Sequence, residues 1–395
     1  MMNQKKTILN SAIVLYFIIG LEMLIMISPF AGFFYSAFNP FLLGMAKFPA
    51  TRWLSAFFLP HMVVPPDAFL KFVRIMGSVL FVGGLGLFLI CAAQIYISKF
   101  LRKGAVVKGI YSFIRHPQYL GLAVTGMGLS ILWPRFLVVV LWLAMVLIYY
   151  FLAKDEEKRM LKSHETEYRD YMGHTGMFLP KPIEKLTMPE KALNKVGLFV
   201  VLCVAVIGFS FFLRAYTISH LPLWSDKNVV AMSILNDEKF MMDHRMPDIL
   251  QMNEIRTRMN DSDTYLVYFL PPNYIMQGLI ANTGEGWKLY KQHHALSMII
   301  DWIFRPFGHL SQSHHAMMMG GMQQKMPLSN GGLAKRLIFL RIEDAKSGGY
   351  KGIFSINARR IPQFMVDMDI HNLQIFGLKE LPGDTGWGTV PVPIF

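Results

Sequence analysis

Two short polar strips hold the groups in this chain that can do chemistry. The first is Gly109-Ile110-Tyr111-Ser112-Phe113-Ile114-Arg115-His116-Pro117-Gln118-Tyr119-Leu120-Gly121. The second is Glu156-Glu157-Lys158-Arg159-Met160-Leu161, continuing to Tyr168-Arg169-Asp170-Tyr171. A guanidinium and an imidazole bind anions, and paired carboxylates accept bonds from hydroxyl and amino groups. Tyrosine rings face cations with π-density. Each strip alone has a plain reading: Arg115 beside an apolar helix snorkels to headgroups, and the Glu156–Arg159 run is a solvated helix start. Facing each other, the strips build one site.

The elements that must position them are membrane helices. The chain has 395 residues, of which 53% are hydrophobic and 16% charged. Ordinary soluble domains are about 25% charged, so the composition is that of an integral membrane protein. Between the strips runs an apolar stretch, residues 122–153, interrupted only by Trp133-Pro134-Arg135. It is too long for one crossing, since about 20 residues span a bilayer core. A proline beside a charged arginine marks the turn of a helical hairpin, so both strips emerge on the same side.

Four more segments complete this half. Lys5 and Lys6 precede a retained anchor over residues 8–30, with Glu22 in its middle. A carboxyl group there must be protonated, paired or turned inward, as a helix–helix hydrogen bond or a substrate or proton contact. Residues 31–70, broken by Pro40, Pro49, Pro60, Pro65 and Pro66, suit interfacial or re-entrant helices. Residues 71–98 form a second span, in which Gly77, Gly83, Gly84 and Gly86 permit close helix approach. After the hairpin, residues 197–214 supply a fifth span. The N-terminus, loop 99–116 and segment 154–195 gather 16 Lys/Arg, against four on the opposite loops. Positive-inside counting therefore puts the N-terminus and both strips in the cytoplasm. Five crossings leave residues 215–395 outside, in the periplasm of a bacterium.

The expected architecture is an α-helical membrane protein of about five transmembrane helices plus interfacial helices, followed by a C-terminal α+β extracytoplasmic domain. Its parts are 1–70 (anchor and interfacial segment), 71–193 (membrane core with the site), 194–214 (fifth transmembrane helix) and 215–395 (outer domain). In the last, residues 237–261 and 287–304 read as helical. Residues 264–270, 336–343, 352–357, 363–369 and 373–378 read as strands, with Ser347-Gly348-Gly349-Tyr350 as a hairpin turn. The net charge of +13 sits almost wholly in the membrane half, where 22 of 39 Lys/Arg face only 10 of 26 acidic residues. That excess suits lipid headgroups; without a basic stripe interleaved with aromatics, no nucleic-acid partner is expected. Cys91 and Cys203 lie in apolar spans and form no disulfide or metal pair.

In order and spacing the two strips resemble those of the isoprenylcysteine carboxyl methyltransferase and phospholipid methyltransferase family: Arg115-His116-Pro117, Tyr119 and Gly121, then Glu156-Glu157, Tyr168, Tyr171 and a closing Pro180. The resemblance spans roughly residues 70–180. It implies a helical fold whose S-adenosylmethionine pocket opens to the cytoplasm, with lipid-side access for the methyl acceptor. By the same resemblance Arg115, His116 and Glu157 are catalytic, and Tyr111, His116, Tyr119, Gly121, Glu156, Glu157, Tyr168 and Tyr171 bind the cofactor. Arg115 or His116 would take its carboxylate, and Gly121 would let it approach the helix. Methyl transfer needs alignment and water exclusion more than a strong base.

Two departures open a second reading. Where the family carries Phe-Gly ahead of Tyr168, this chain has His164-Glu165. Where it carries arginine three residues before the closing proline, this chain has Met177, which cannot position an anionic acceptor. On that reading the chain is a non-catalytic scaffold subunit of a larger membrane complex, docking through its outer domain. That domain holds a third feature: His293, His294, His309, His314 and His315, followed by Met317, Met318, Met319, Met322 and Met326. Imidazole with thioether suits copper, with His314, His315, Met318 and Met322 as ligands. A loop that contacts a partner is the other explanation, because the chain is methionine-rich throughout.

Overall fold

The computed structural model describes residues 45, 48–60, 65–101, 106–189, 191–271, 334–343 and 350–381. The expected first span with Glu22, the helix at 287–304 and the whole His/Met cluster lie outside the described residues. The chain divides into two compact units. One is built on Phe69–Leu213; the other combines Leu42–Ala68 with Arg214–Phe395.

In the first unit, three helices are long and apolar enough to cross a membrane: α2 (Ala68–Phe100), α4 (Phe136–Ser163) and α7 (Ala192–His220). Between α2 and α4 runs α3 (Pro117–Leu132). With 16 residues it is about 24 Å long. Prolines set both of its ends. Pro117 fills its first position, where a missing N–H is no loss. Trp133, forced out of the helical region by Pro134, caps its end through Trp133 N donating to Leu129 O at 2.8 Å. After Arg135 the chain reverses into α4, which is the hairpin expected at Trp133-Pro134-Arg135. The Trp142 indole then donates to Ala123 O at 2.8 Å and ties α4 to α3.

Helices α2 and α3 meet along paired glycines. A Cβ on Gly84 would stand 2.7 Å from Gly121 O, and one on Gly121 would stand 2.9 Å from Gly84 O. One heptad away, a Cβ on Gly128 would come within 2.6 Å of Gly77 O. The two backbones therefore touch where only glycine fits. Gly83 and Gly86 face open space, so two of the four expected glycines form the seam. Short helices α5 (Glu165–His174) and α6 (Lys181–Thr187) follow α4 before α7 begins.

The second unit is a six-stranded sheet ordered β1 (Leu223–Asp226), β2 (Val229–Ser233), β3 (Thr264–Leu270), β4 (Ala334–Glu343), β5 (Arg359–Asp369) and β6 (Gln374–Glu380). All pairings are antiparallel except β2–β3, which is parallel and joined through α8 (Lys239–Gln251) and α9 (Asn253–Arg256). Alternate residues of β3 and β4 serve opposite faces. Leu266, Tyr268, Ile338 and Leu340 pack on one side, and Val267, Phe269, Leu337 and Phe339 on the other, against Met242, Met246 and Ile249 of α8. Four expected strands are present as β3 to β6. Residues 352–357 are not a strand: a helical turn, α10 (Tyr350–Ile353), is followed by Ser355 N bonding Gly352 O and Ala358 N bonding Ser355 O. The β1–β2 hairpin, turning at Lys227 with φ +43°, had no counterpart in the sequence reading.

Residues 42–68, grouped by the sequence with the anchor, cluster with this unit, where α1 (Pro49–Ser55) leads into buried Phe57 and Phe58. Arg214 on α7 donates to the carbonyls of Phe57 and Phe354.

Candidate functional site

The first strip starts in a 3-10 turn at Gly109–Ser112, entered through Gly109 at φ +71°, a conformation that disfavours any side chain. It then runs extended beside residues 175–177. Ile114 and Gly176 form a parallel bridge. Arg115 N donates to Gly176 O at 2.8 Å and His116 N to Met177 O at 3.0 Å. Gly176 has no room for a Cβ, which would lie 2.6 Å from a Glu184 carboxylate oxygen. The main chain thus fixes where the Arg115 and His116 side chains leave it.

They leave it toward α4. Arg115 Nε donates to Glu157 Oε1 at 2.7 Å, and its guanidinium also reaches the Thr175 carbonyl. Both partners of this ion pair are buried. His116 (3% exposed) places Nδ1 at 3.3 Å from Glu156 Oε2 and Nε2 at 3.5 Å from Glu157 Oε1. These are ion-pair distances without hydrogen-bond geometry, so both ring nitrogens lack a hydrogen-bond partner among the described residues. Burial alone lowers the His116 pKa; the two glutamates outweigh it and hold the imidazole above its ordinary value.

The glutamates differ. The Glu157 side chain is 7% exposed and committed to Arg115, whereas Glu156 is 31% exposed. Tyr119 donates to Glu156 Oε1 at 2.6 Å. The Tyr119 ring lies 5.9 Å from that of His116 and stacks on Tyr149 at 5.1 Å, and Phe178 flanks His116 at 6.1 Å.

Arg115, His116, Tyr119, Glu156 and Glu157 are therefore brought together. The other expected residues are turned to the scaffold. The Tyr111 hydroxyl lies between Cys91 O (3.3 Å) and Gln118 Oε1 (3.2 Å), and the Tyr171 hydroxyl donates to the Tyr111 carbonyl. Tyr168 packs 5.7 Å from Tyr171; burial first, and the Glu157 charge next, raise its pKa and keep it neutral. Gly121 was expected to admit a cofactor, but the space left by its missing side chain is filled by Gly84 and Phe88 of α2. His314, His315, Met318 and Met322 lie outside the described residues, and among the described residues no group of three or more metal-binding side chains occurs.

Sequence reasoning missed Tyr149, Thr175 and Phe178. Tyr149 carried a signal: with Ala153 and Glu157 it keeps the four-residue spacing of one helix face, and all three are buried. Thr175 acts through its carbonyl and carried none.

Residues 72–167 match the family model described as phospholipid methyltransferase. The match contains Arg115, His116, Tyr119, Glu156 and Glu157, and it ends before Tyr168. No curated protein and no solved structure matches the chain.

Proposed function

From the phospholipid methyltransferase match over residues 72–167 and the side chains it brings together, we propose that this protein is an S-adenosylmethionine-dependent methyltransferase of a lipid or membrane-embedded acceptor. The observation that carries the proposal is His116: a buried imidazole whose two nitrogens face Glu156 and Glu157 at 3.3 and 3.5 Å without hydrogen-bond geometry, beside a Glu156 carboxylate that keeps about a third of its surface open.

These residues suit S-adenosylmethionine, which has a sulfonium, a ribose diol and a zwitterionic amino-acid end. When bound, it supplies an activated methyl group. Glu156 has free surface for ribose hydroxyls or the amino group, and Tyr119 orients it. His116 can donate to the carboxylate. Arg115 is buried and already bonded to Glu157 and Thr175 O, so its part is to hold the 175–177 segment and Glu157 in place, leaving His116 as the carboxylate partner of the two. The rings of Tyr119 and Phe178 exclude water and offer π-faces to a cation. Calorimetric titration in detergent tests this: the wild type should bind S-adenosylmethionine or S-adenosylhomocysteine, and His116→Ala should bind more weakly. No heat at millimolar cofactor rules the proposal out.

A scaffold subunit is the second reading, favoured by Met177, whose backbone is engaged while no cation stands at its position. Purification with stoichiometric partners and no cofactor binding supports it; a monodisperse enzyme that turns over refutes it.

The same proposal places the N-terminus in the cytoplasm and residues 215–395 in the periplasm of a bacterium, on the Lys/Arg distribution. An impermeant maleimide applied to intact cells should label Lys227→Cys but not Lys158→Cys, both exposed positions; the reverse pattern inverts the topology.

A further inference from the structure

Tyr149 sits on α4 seven residues ahead of Glu156, on the apolar side of the charged cluster. Its side chain is 2% exposed, and its ring is fixed by the stack on Tyr119, 5.1 Å between centroids and 26° between planes. Its hydroxyl is buried without a hydrogen-bond partner among the described residues. An unpaired buried hydroxyl is unfavourable, and phenylalanine would make the same stack without it. A packing role therefore explains the ring and leaves the oxygen unexplained.

Position decides what that oxygen meets. Glu156 and His116 stand at the polar end of α4, where a water-soluble cofactor arrives. Tyr149 lies in the apolar stretch below them, with half-buried Val146 and Leu152 three residues away on its own side of the helix. At that depth a ligand arrives from the bilayer rather than from water. Gln94 Oε1 and Tyr96 OH on α2 are also buried and unpartnered. Gln94, however, lies at the level of the cytoplasmic strip, its amide nitrogen 3.4 Å from where a Cβ on Gly109 would be. Tyr96 follows two residues later in the chain.

Resting on the methyltransferase reading, we infer that Tyr149 is the positioning residue for the methyl acceptor. Its hydroxyl donates a hydrogen bond to a headgroup oxygen of a phospholipid entering from the membrane. The Tyr119 ring couples it to Glu156, so acceptor and cofactor are registered against each other across one aromatic pair.

The test uses full-length protein in liposomes of phosphatidylethanolamine and phosphatidylglycerol, with tritiated S-adenosylmethionine and the phosphatidylethanolamine fraction varied. Cofactor affinity is measured separately by calorimetry. Tyr149→Phe should raise the apparent KM for the lipid about tenfold, with kcat within about threefold of wild type and cofactor affinity unchanged. Tyr149→Leu, which also removes the stack, should lower kcat as well. Tyr149→Phe with a wild-type KM overturns the inference, as does a parallel loss of lipid and cofactor affinity, which moves Tyr149 to the cofactor side. Cofactor binding without methyl transfer to this lipid also overturns it while leaving the cofactor site standing. Absence of cofactor binding removes the methyltransferase reading itself.

Discussion

Tyr119 donates to one oxygen of Glu156 at 2.6 Å while His116 faces the other at 3.3 Å. The carboxylate is oriented from two sides and still keeps a third of its surface open, which suits a group that must greet a ligand without searching for it. Its neighbour Glu157 has the opposite arrangement: sealed, and spent on Arg115.

Tyr119→Phe keeps the stack on Tyr149 and removes only the donor to Glu156. Loss of one such bond is worth about 1 kcal/mol, near fivefold in an equilibrium constant. Titration calorimetry should show S-adenosylmethionine affinity falling by about that factor. An unchanged affinity would mean that Glu156 is not a cofactor ligand.

Arg115→Ala leaves Glu157 buried with its principal partner gone. Breaking a buried pair from one side costs about 3–5 kcal/mol, so thermal unfolding in detergent should show a large drop in Tm. The double variant Arg115→Ala/Glu157→Ala should recover part of it, because no buried charge is then stranded. Arg115→Lys should rescue incompletely, since an ammonium lacks the fork that reaches both Glu157 and the Thr175 carbonyl.

His116 gives the fold a pH dependence of defined sign. Its folded pKa lies above the unfolded value, so its contribution is complete below pH about 6.5 and is lost as pH rises through the folded pKa. The Tm difference between wild type and His116→Gln should be larger at pH 6 than at pH 9. The reverse order would mean that burial has outweighed the glutamates.

Gly121→Ala forces a Cβ to 2.7 Å from Phe88 N and 2.9 Å from Gly84 O. Overpacking of this kind costs about 1–3 kcal/mol, and unfolding measurements should show it. Gly83→Ala on the facing helix meets nothing within 4 Å and should be neutral or slightly stabilising.

The hairpin was legible because proline and arginine interrupt an apolar run too long for one crossing. Strands β3 to β6 were legible from their β-branched and aromatic content. The pairs β1 and β2 were not: at four and five residues they are short, and they follow a helix that runs six residues past the expected end of the fifth span. Within the site, the convergence of His116 on Glu156 follows from a hairpin that returns the chain to its starting side. The bonds from Arg115 and His116 to residues 176 and 177 did not show, because main-chain pairing between irregular segments leaves no residue-type signature. The partner that Gly121 meets did not show for a related reason: a glycine announces close approach, but not of what.

Met177 receives the His116 amide through its carbonyl and gives its own N–H to Glu184. The architecture holds that position through its peptide unit as well as its buried side chain, so the main-chain bonds do not depend on which side chain stands there. Such a position is a dial: a single substitution changes the chemistry next to the His116 main chain while the frame that carries it stays the same.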